Sequence, residues 1–123
     1  MRPARRETGA AGEDAAARYL VKCGYRILHR NLRLGRVGEL DIVALDRRTL
    51  VFIEVKSKLR GELGGFQNIT AAKQRKLIEL AAHYLQRYDH GQQAVRFDAV
   101  EVEYADRRLA KPQIRLLKDA FRA

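Results

Sequence analysis

A single cysteine, Cys23, stands in a chain of 123 residues, so no internal disulfide can staple the fold. No Cys/His pairs recur at zinc-ligand spacing, and His29, His83 and His90 lack the mutual spacing of metal ligands, so none is assigned any chemistry. There is no secretory apolar segment and no apolar run of about twenty residues. Together these absences predict a soluble, cytoplasmic protein with no membrane partner. Internal repeats, low-complexity tracts and long linkers are also missing, which leaves one domain over residues 1–123, with a loose, disordered basic start at residues 1–6 (MRPARR). A domain of this length buries roughly two-thirds of the surface its unfolded chain exposes, enough for a core without staples.

Acid is absent from two windows. Between Ala15 and Gly38 no Asp or Glu occurs, yet Arg18, Lys22, Arg26, Arg30, Arg33 and Arg36 all do, and Leu63 to Ile78 repeats the pattern with Lys73, Arg75 and Lys76. Over the whole chain 25 Lys and Arg oppose 15 Asp and Glu, a net charge of +10 that biases partners toward polyanions through counterion release and long-range attraction. A solvated basic surface that only keeps the protein soluble has the same statistics.

The apolar pattern predicts the order helix, strand, hairpin, helix, strand, strand. An Ala-rich helix runs from about Glu7 to Cys23 and closes at Gly24, with Gly9, Gly12, Glu13, Ala16, Leu20 and Cys23 on its inward stripe. Tyr25 to Leu32 is a weakly alternating strand, and Glu39 to Leu45 and Leu50 to Ser57 are two β-rich runs joined by a hairpin-length link. Gly61, Gly64 and Gly65 mark a mobile loop. Thr70 caps a second helix reaching about Tyr88, with Leu77, Leu80, Ala81, Tyr84, Leu85 and Tyr88 as its buried stripe. Lys73 begins that stripe, which directs its amine toward the functional end of the sheet. Ala94 to Tyr104 and Gln113 to Leu117 complete the strands, and the whole is an α/β domain with a central mixed sheet flanked by helices.

The second and third strands carry acids where a core strand should be apolar. If Leu45 pairs with Leu50, Asp41 falls opposite Glu54 and Glu39 opposite Lys56, all four on one face of the hairpin. The other face, Leu40, Ile42, Ala44, Val51, Ile53 and Val55, is apolar throughout. Directly opposed carboxylates are destabilising unless compensated. A divalent cation such as Mg²⁺ would compensate, because it takes one or two carboxylates together with waters and substrate phosphate. Lys56 projects to the same side, where it could hold or deprotonate a water or offset charge on a phosphate. An exposed hairpin face on which Glu39, Glu54 and Lys56 neutralise one another would need no metal. Against it stand the opposed Asp41, the apolar flanks and the inward Glu13 as a third carboxylate.

An acid on one strand and an acid-x-Lys on the next, here Asp41 and Glu54-Val55-Lys56, resemble the PD-(D/E)xK nuclease superfamily. More narrowly, Gly9-x-x-Gly12-Glu13, Gly24-Tyr25, Arg30-Asn31, Gly38-Glu39-Leu40-Asp41, Val51 to Lys56 (VFIEVK) and Arg96-Phe97-Asp98 are similar, in order and over nearly the whole chain, to the bacterial UPF0102 (YraN) family. The resemblance implies a restriction-endonuclease-like core close to that of archaeal Holliday junction resolvases, with metal carboxylates at one end of the sheet. It implies Asp41, Glu54 and the Val55 backbone carbonyl as ligands of Mg²⁺ or Mn²⁺, Glu13 as a further site carboxylate, and Lys56 as the residue that orients water. The chain departs from the family in its substrate-side loop, which reads GELGGFQNIT from Gly61 to Thr70.

The function expected on these grounds is metal-dependent, structure-selective hydrolysis of DNA phosphodiester bonds, possible on branched DNA and in a homodimer, with RNA left open. Arg26, Arg30, Arg33 and Lys73 would contact the nucleic-acid backbone, and Arg96 and Asp98 would form a structural ion pair. The alternative is a non-catalytic nucleic-acid-binding module of the same fold that acts with a repair or recombination partner. A basic structural protein accounts for the charge but not for the opposed acids.

Overall fold

A computed structural model describes residues 5–88, 91 and 93–123, with side chains from Gly9 onward. Of the loose start, residues 1–4 lie outside the described residues, whereas Arg5 and Arg6 open the first helix, α1 (Arg5–Lys22). His90 also lies outside them. Strands β1 (Arg26–Leu34), β2 (Gly38–Asp46) and β3 (Thr49–Leu59) follow, then helix α2 (Ala71–Arg87) and strands β4 (Val95–Tyr104) and β5 (Gln113–Phe121). The five strands lie in chain order in one sheet, antiparallel except where β3 and β4 run parallel. That parallel step needs a crossover, which α2 provides. The fold is thus α/β with a mixed sheet, as the patterning predicts.

Each helix covers one face. Ala16 and Leu20 of α1 pack with Ile42, Ala44, Val51, Ile53, Val100 and Val102. On the other face Leu77, Leu80, Ala81 and Tyr84 of α2 pack with Val43, Leu50, Phe52 and Phe97. Both cores alternate along β3, which is why its sequence is apolar at every position from Leu50 to Ile53. Thr70 caps α2 as expected, its Oγ1 accepting a hydrogen bond from the Lys73 backbone N–H at 3.2 Å. Two stripe positions differ from the prediction. Cys23 lies just past the end of α1 and is exposed, and Leu85 turns outward at 46 % exposure.

The α1 motif Gly9-x-x-Gly12-Glu13 has a steric basis. A Cβ on Gly12 would fall 1.7 Å from Ser57 Oγ, so glycine alone lets the helix sit this close to β3. The next residue, Glu13, is thereby brought over the end of the sheet. The loop expected to be mobile contains a 3₁₀ turn (Gly65–Asn68) that closes on β4. Gly65 sits against the buried Glu101, where a Cβ would lie 1.9 Å from its carboxylate, and Phe66 lies under the Arg115 guanidinium, 5.2 Å from the ring centre.

Candidate active site

The hairpin register is the expected one, with Leu45 opposite Leu50 and Ile42 opposite Ile53, but the ladder ends there. One step further, Asp41 and Glu54 are not backbone partners. The Asp41 carboxylate replaces the ladder, its Oδ2 accepting the Val55 backbone N–H at 2.9 Å. The two strands part at the point where the acids begin, and the side chain caps the opened edge.

β1 is irregular at the same level. Arg30 faces Ile42 and Leu32 faces Leu40, while the pair between them, Asn31 and Asp41, is missing from the ladder. Asn31 adopts φ 51°, a left-handed conformation that Asn tolerates better than most residues. The alternation therefore changes side across this level. Ile42 belongs to the α1 core, but Leu40 belongs with Val43 in the α2 core, contrary to a strict period of two. The predicted cross-strand pair of Glu39 with Lys56 does not form, because the β2–β3 ladder ends at Ile42 and Ile53, while on its other edge Glu39 still pairs with Arg33 of β1. Lys56 turns instead to Glu54, its Nζ 3.4 Å from Oε1.

Glu13, Asp41, Glu54, Val55 and Lys56 line one cleft of 540 Å³ between the N-terminal part of α1, the opened end of β2 and β3, and the Gly61–Thr70 loop. Glu54 is almost wholly buried, at 6 % exposure, and its Oε1 is shared by two lysines, Lys56 and Lys73, both at 3.4 Å. Burial pushes the Asp41 carboxyl up to about 7, with the Glu54 charge adding to the rise and the Val55 N–H and Lys73 opposing it. Burial likewise raises Glu13, against a hydrogen bond from Asn31 and the charge of Arg30. Asn31 is thus a site residue that the charge pattern misses. Only the Arg30-Asn31 motif contains it, since neither its polarity nor its spacing marks it.

The four predicted backbone-contact cations do not form one surface. Lys73 reaches Glu54 from α2, Arg30 pairs with Asp14 of α1, Arg33 donates to the Gly35 carbonyl at 3.0 Å, and Arg26 is exposed at the opposite end of β1. Arg96 and Asp98 form the expected ion pair at 2.8 Å, within a wider network. Asp98 is fully buried and also accepts from Tyr25 Oη at 2.6 Å and from the Asp119 N–H at 3.0 Å, while Arg96 reaches Asp46 at 2.8 Å.

Among the described residues, no three His, Cys, Asp or Glu side chains close on a common point as a ready ligand shell. The donor chemistry nonetheless suits a hard divalent cation. Three carboxylates face one cleft, two of them hold their protons more tightly than usual, and oxygen is the only donor type they offer.

A sequence model of the uncharacterised protein family UPF0102 matches residues 12–102, the span from Gly12 through all the site residues to β4. The chain belongs to the UPF0102 family. It is 48 % identical over 121 residues to a UPF0102 protein of Symbiobacterium thermophilum, an alignment covering 96 % of this chain and 98 % of that protein. It is 42 % identical to a UPF0102 protein of Caldicellulosiruptor saccharolyticus over 95 % of this chain and 98 % of that one. A UPF0102 protein of Nitrosococcus oceani is 41 % identical over 99 % of this chain and 98 % of its own length. No helix among the described residues is long and apolar enough to cross a membrane.

Proposed function

We propose that this UPF0102 protein is a Mg²⁺- or Mn²⁺-dependent, structure-selective DNA endonuclease with a PD-(D/E)xK-type site. One observation carries the reading: Asp41 and Glu54 flank an opened strand pair in a cleft, with Lys56 beside them and Asp41 pushed up to about 7. Acids held this way would repel a phosphate unless a cation intervenes. Asp41, Glu54 and the Val55 carbonyl would hold the ion, with Glu13 completing the set. The ion would supply a Lewis acid that offsets charge on the phosphate and lowers the pKa of water. Lys56, whose ammonium is already fixed by Glu54, holds the attacking water against the phosphorus. Lys73, which also holds Glu54, steadies the non-bridging oxygens. Asn31 keeps Glu13 turned inward through its hydrogen bond.

The test is cleavage of branched, flapped and linear DNA with Mg²⁺ or Mn²⁺. Wild type should cut, and Asp41→Asn and Glu54→Gln should lose at least two orders of magnitude in rate. Equal cutting by these variants would remove the site. The non-catalytic binding module has one observation in its favour, namely that two lysines already neutralise Glu54. Salt-dependent binding without cleavage in any metal would decide for it.

A further inference from the structure

The opposite end of the sheet holds a second concavity, of 810 Å³, behind the β2–β3 turn, lined by Cys23, Gly24, Asp46, Thr49, Arg96 and Lys118 with Arg47 and Arg48 at its mouth. We propose that this concavity and its rim are a second seat for nucleic-acid backbone phosphates, remote from the carboxylate cleft. The inference rests on nucleic acid being the ligand, though not on its being cut.

The floor is rigid and neutral. Arg96 is locked between Asp98 and Asp46, and Lys118 is held by Asp46 at 3.4 Å with its ammonium 5.6 Å from the centre of the Tyr25 ring. Two cations against two acids leave no surplus there. The rim is different. Arg47 and Arg48 at the turn, Lys22 at the end of α1 and Arg26 opposite Leu45 are all exposed, and none of the four joins an ion pair among the described residues. Arg47 and Arg48 line this neutral basin, and Lys22 and Arg26 neighbour its lining through Cys23 and through Leu45 beside Asp46, so the local field is one that salt bridges do not consume. Guanidinium forks also suit phosphate oxygens better than any apolar ligand.

The turn itself supports a role beyond chain reversal. Arg47 takes φ 57° at the first position of a two-residue hairpin turn, where Gly, Asn or Asp is the ordinary choice. Arginine at this position carries backbone strain that a glycine would not. Thr49 and Glu54 are five residues apart on β3, so the seat and the cleft are separated by roughly 17 Å at about 3.3 Å per residue. That span is about five base pairs of duplex, so a nucleic acid seated at both ends must extend well beyond the cleft.

Fluorescence anisotropy with a labelled duplex of about 20 base pairs, in EDTA so that no cutting intervenes, tests this across a salt series. Arg47→Glu/Arg48→Glu should weaken binding tenfold or more near 0.1 M salt and reduce the log–log salt slope by roughly 1.8, at about 0.9 for each phosphate no longer neutralised. Arg47→Gly should lose part of the affinity while raising the melting temperature, the opposite pairing to a purely structural role. If the double reversal leaves affinity and slope unchanged while Lys73→Glu weakens both, nucleic acid binds at the cleft alone and the second seat is refuted. If wild type binds neither DNA nor RNA at low salt, the nucleic-acid reading falls with it. If Arg47 and Arg48 govern binding of polyglutamate but not of DNA, the rim serves an acidic protein and the proposal is overturned.

Discussion

Replacing Asp41 by Asn should stabilise the metal-free protein, and by an amount that grows with pH. The Asp41 carboxyl is raised from its ordinary 3.8 to about 7, chiefly by burial and secondarily by Glu54. Because the folded pKa lies above the unfolded one, the folded state holds the proton more tightly. The associated stability is complete below about pH 4 and is lost as pH rises through about 7. At 1.36 kcal/mol per pKa unit the full loss is about 4 kcal/mol, an upper bound because part of the rise is shared with Glu54. Asn keeps an oxygen to accept the Val55 N–H and never ionises, so the variant escapes this loss. With chelator present, Asp41→Asn should melt close to wild type near pH 3.5, where Asp41 is mostly protonated in both states, and up to roughly 12–20 °C higher at pH 8, at roughly 3–5 °C per kcal/mol for a domain of this size. Comparing the variant with wild type at each pH cancels the other titrating groups. Mn²⁺ at about 100 times its dissociation constant should then return about 2.7 kcal/mol to wild type at pH 8 and little to the variant. No gain for Asp41→Asn at pH 8, or equal stabilisation of both proteins by Mn²⁺, would refute the reasoning.

Two further outcomes follow from close contacts and buried charge. Gly12→Ala places a methyl 1.7 Å from Ser57 Oγ and should cost about 1–3 kcal/mol by denaturant unfolding, with Ser57→Ala recovering part of the loss because it removes the clashing oxygen. Asp98→Ala leaves Arg96 facing Asp46 alone and strips the Tyr25 hydroxyl of its acceptor. It should cost about 3–5 kcal/mol in thermal or urea unfolding, without changing any Mn²⁺-dependent shift at the cleft.

Element order and hairpin register are legible in the sequence because burial on both faces leaves a strong mark. Leu50 to Ile53 are apolar without a break, and a one-residue slip would turn Phe52 and Val43 away from α2. The same regularity misleads at the site. Extending a period of two past Ile42 puts Leu40 on the wrong face and Glu39 beside Lys56. The left-handed Asn31 interrupts the pleat at that level, and no hydrophobic pattern encodes a single positive φ. Helix ends show a related limit. Cys23 continues the spacing of the α1 stripe, but Gly24, at φ 93°, has already turned the chain out of the helix. Lys73 opens the buried stripe of α2, so its direction toward the functional end of the sheet is legible in the sequence. Its choice of Glu54 as partner depends on how α2 crosses the sheet, a tertiary relation that local sequence does not carry.

The two ends of the sheet treat an aspartate in opposite ways, one fully buried and one half-buried. Asp98 receives both forks of Arg96, the Tyr25 hydroxyl and the Asp119 N–H, so its charge is answered within the fold. Asp41 receives one backbone N–H and stands beside Glu54 and Glu13, with Lys73 already on Glu54. A chain able to build the first arrangement could have built it twice, or placed an apolar residue at position 41 and kept the ladder whole. Like-charged, under-donated acids at an opened strand end are a cost to folding, and such costs concentrate at functional sites. The asymmetry between Asp98 and Asp41, more than either residue alone, is the physical reason to look for a cation, and a substrate, at the cleft end of this protein.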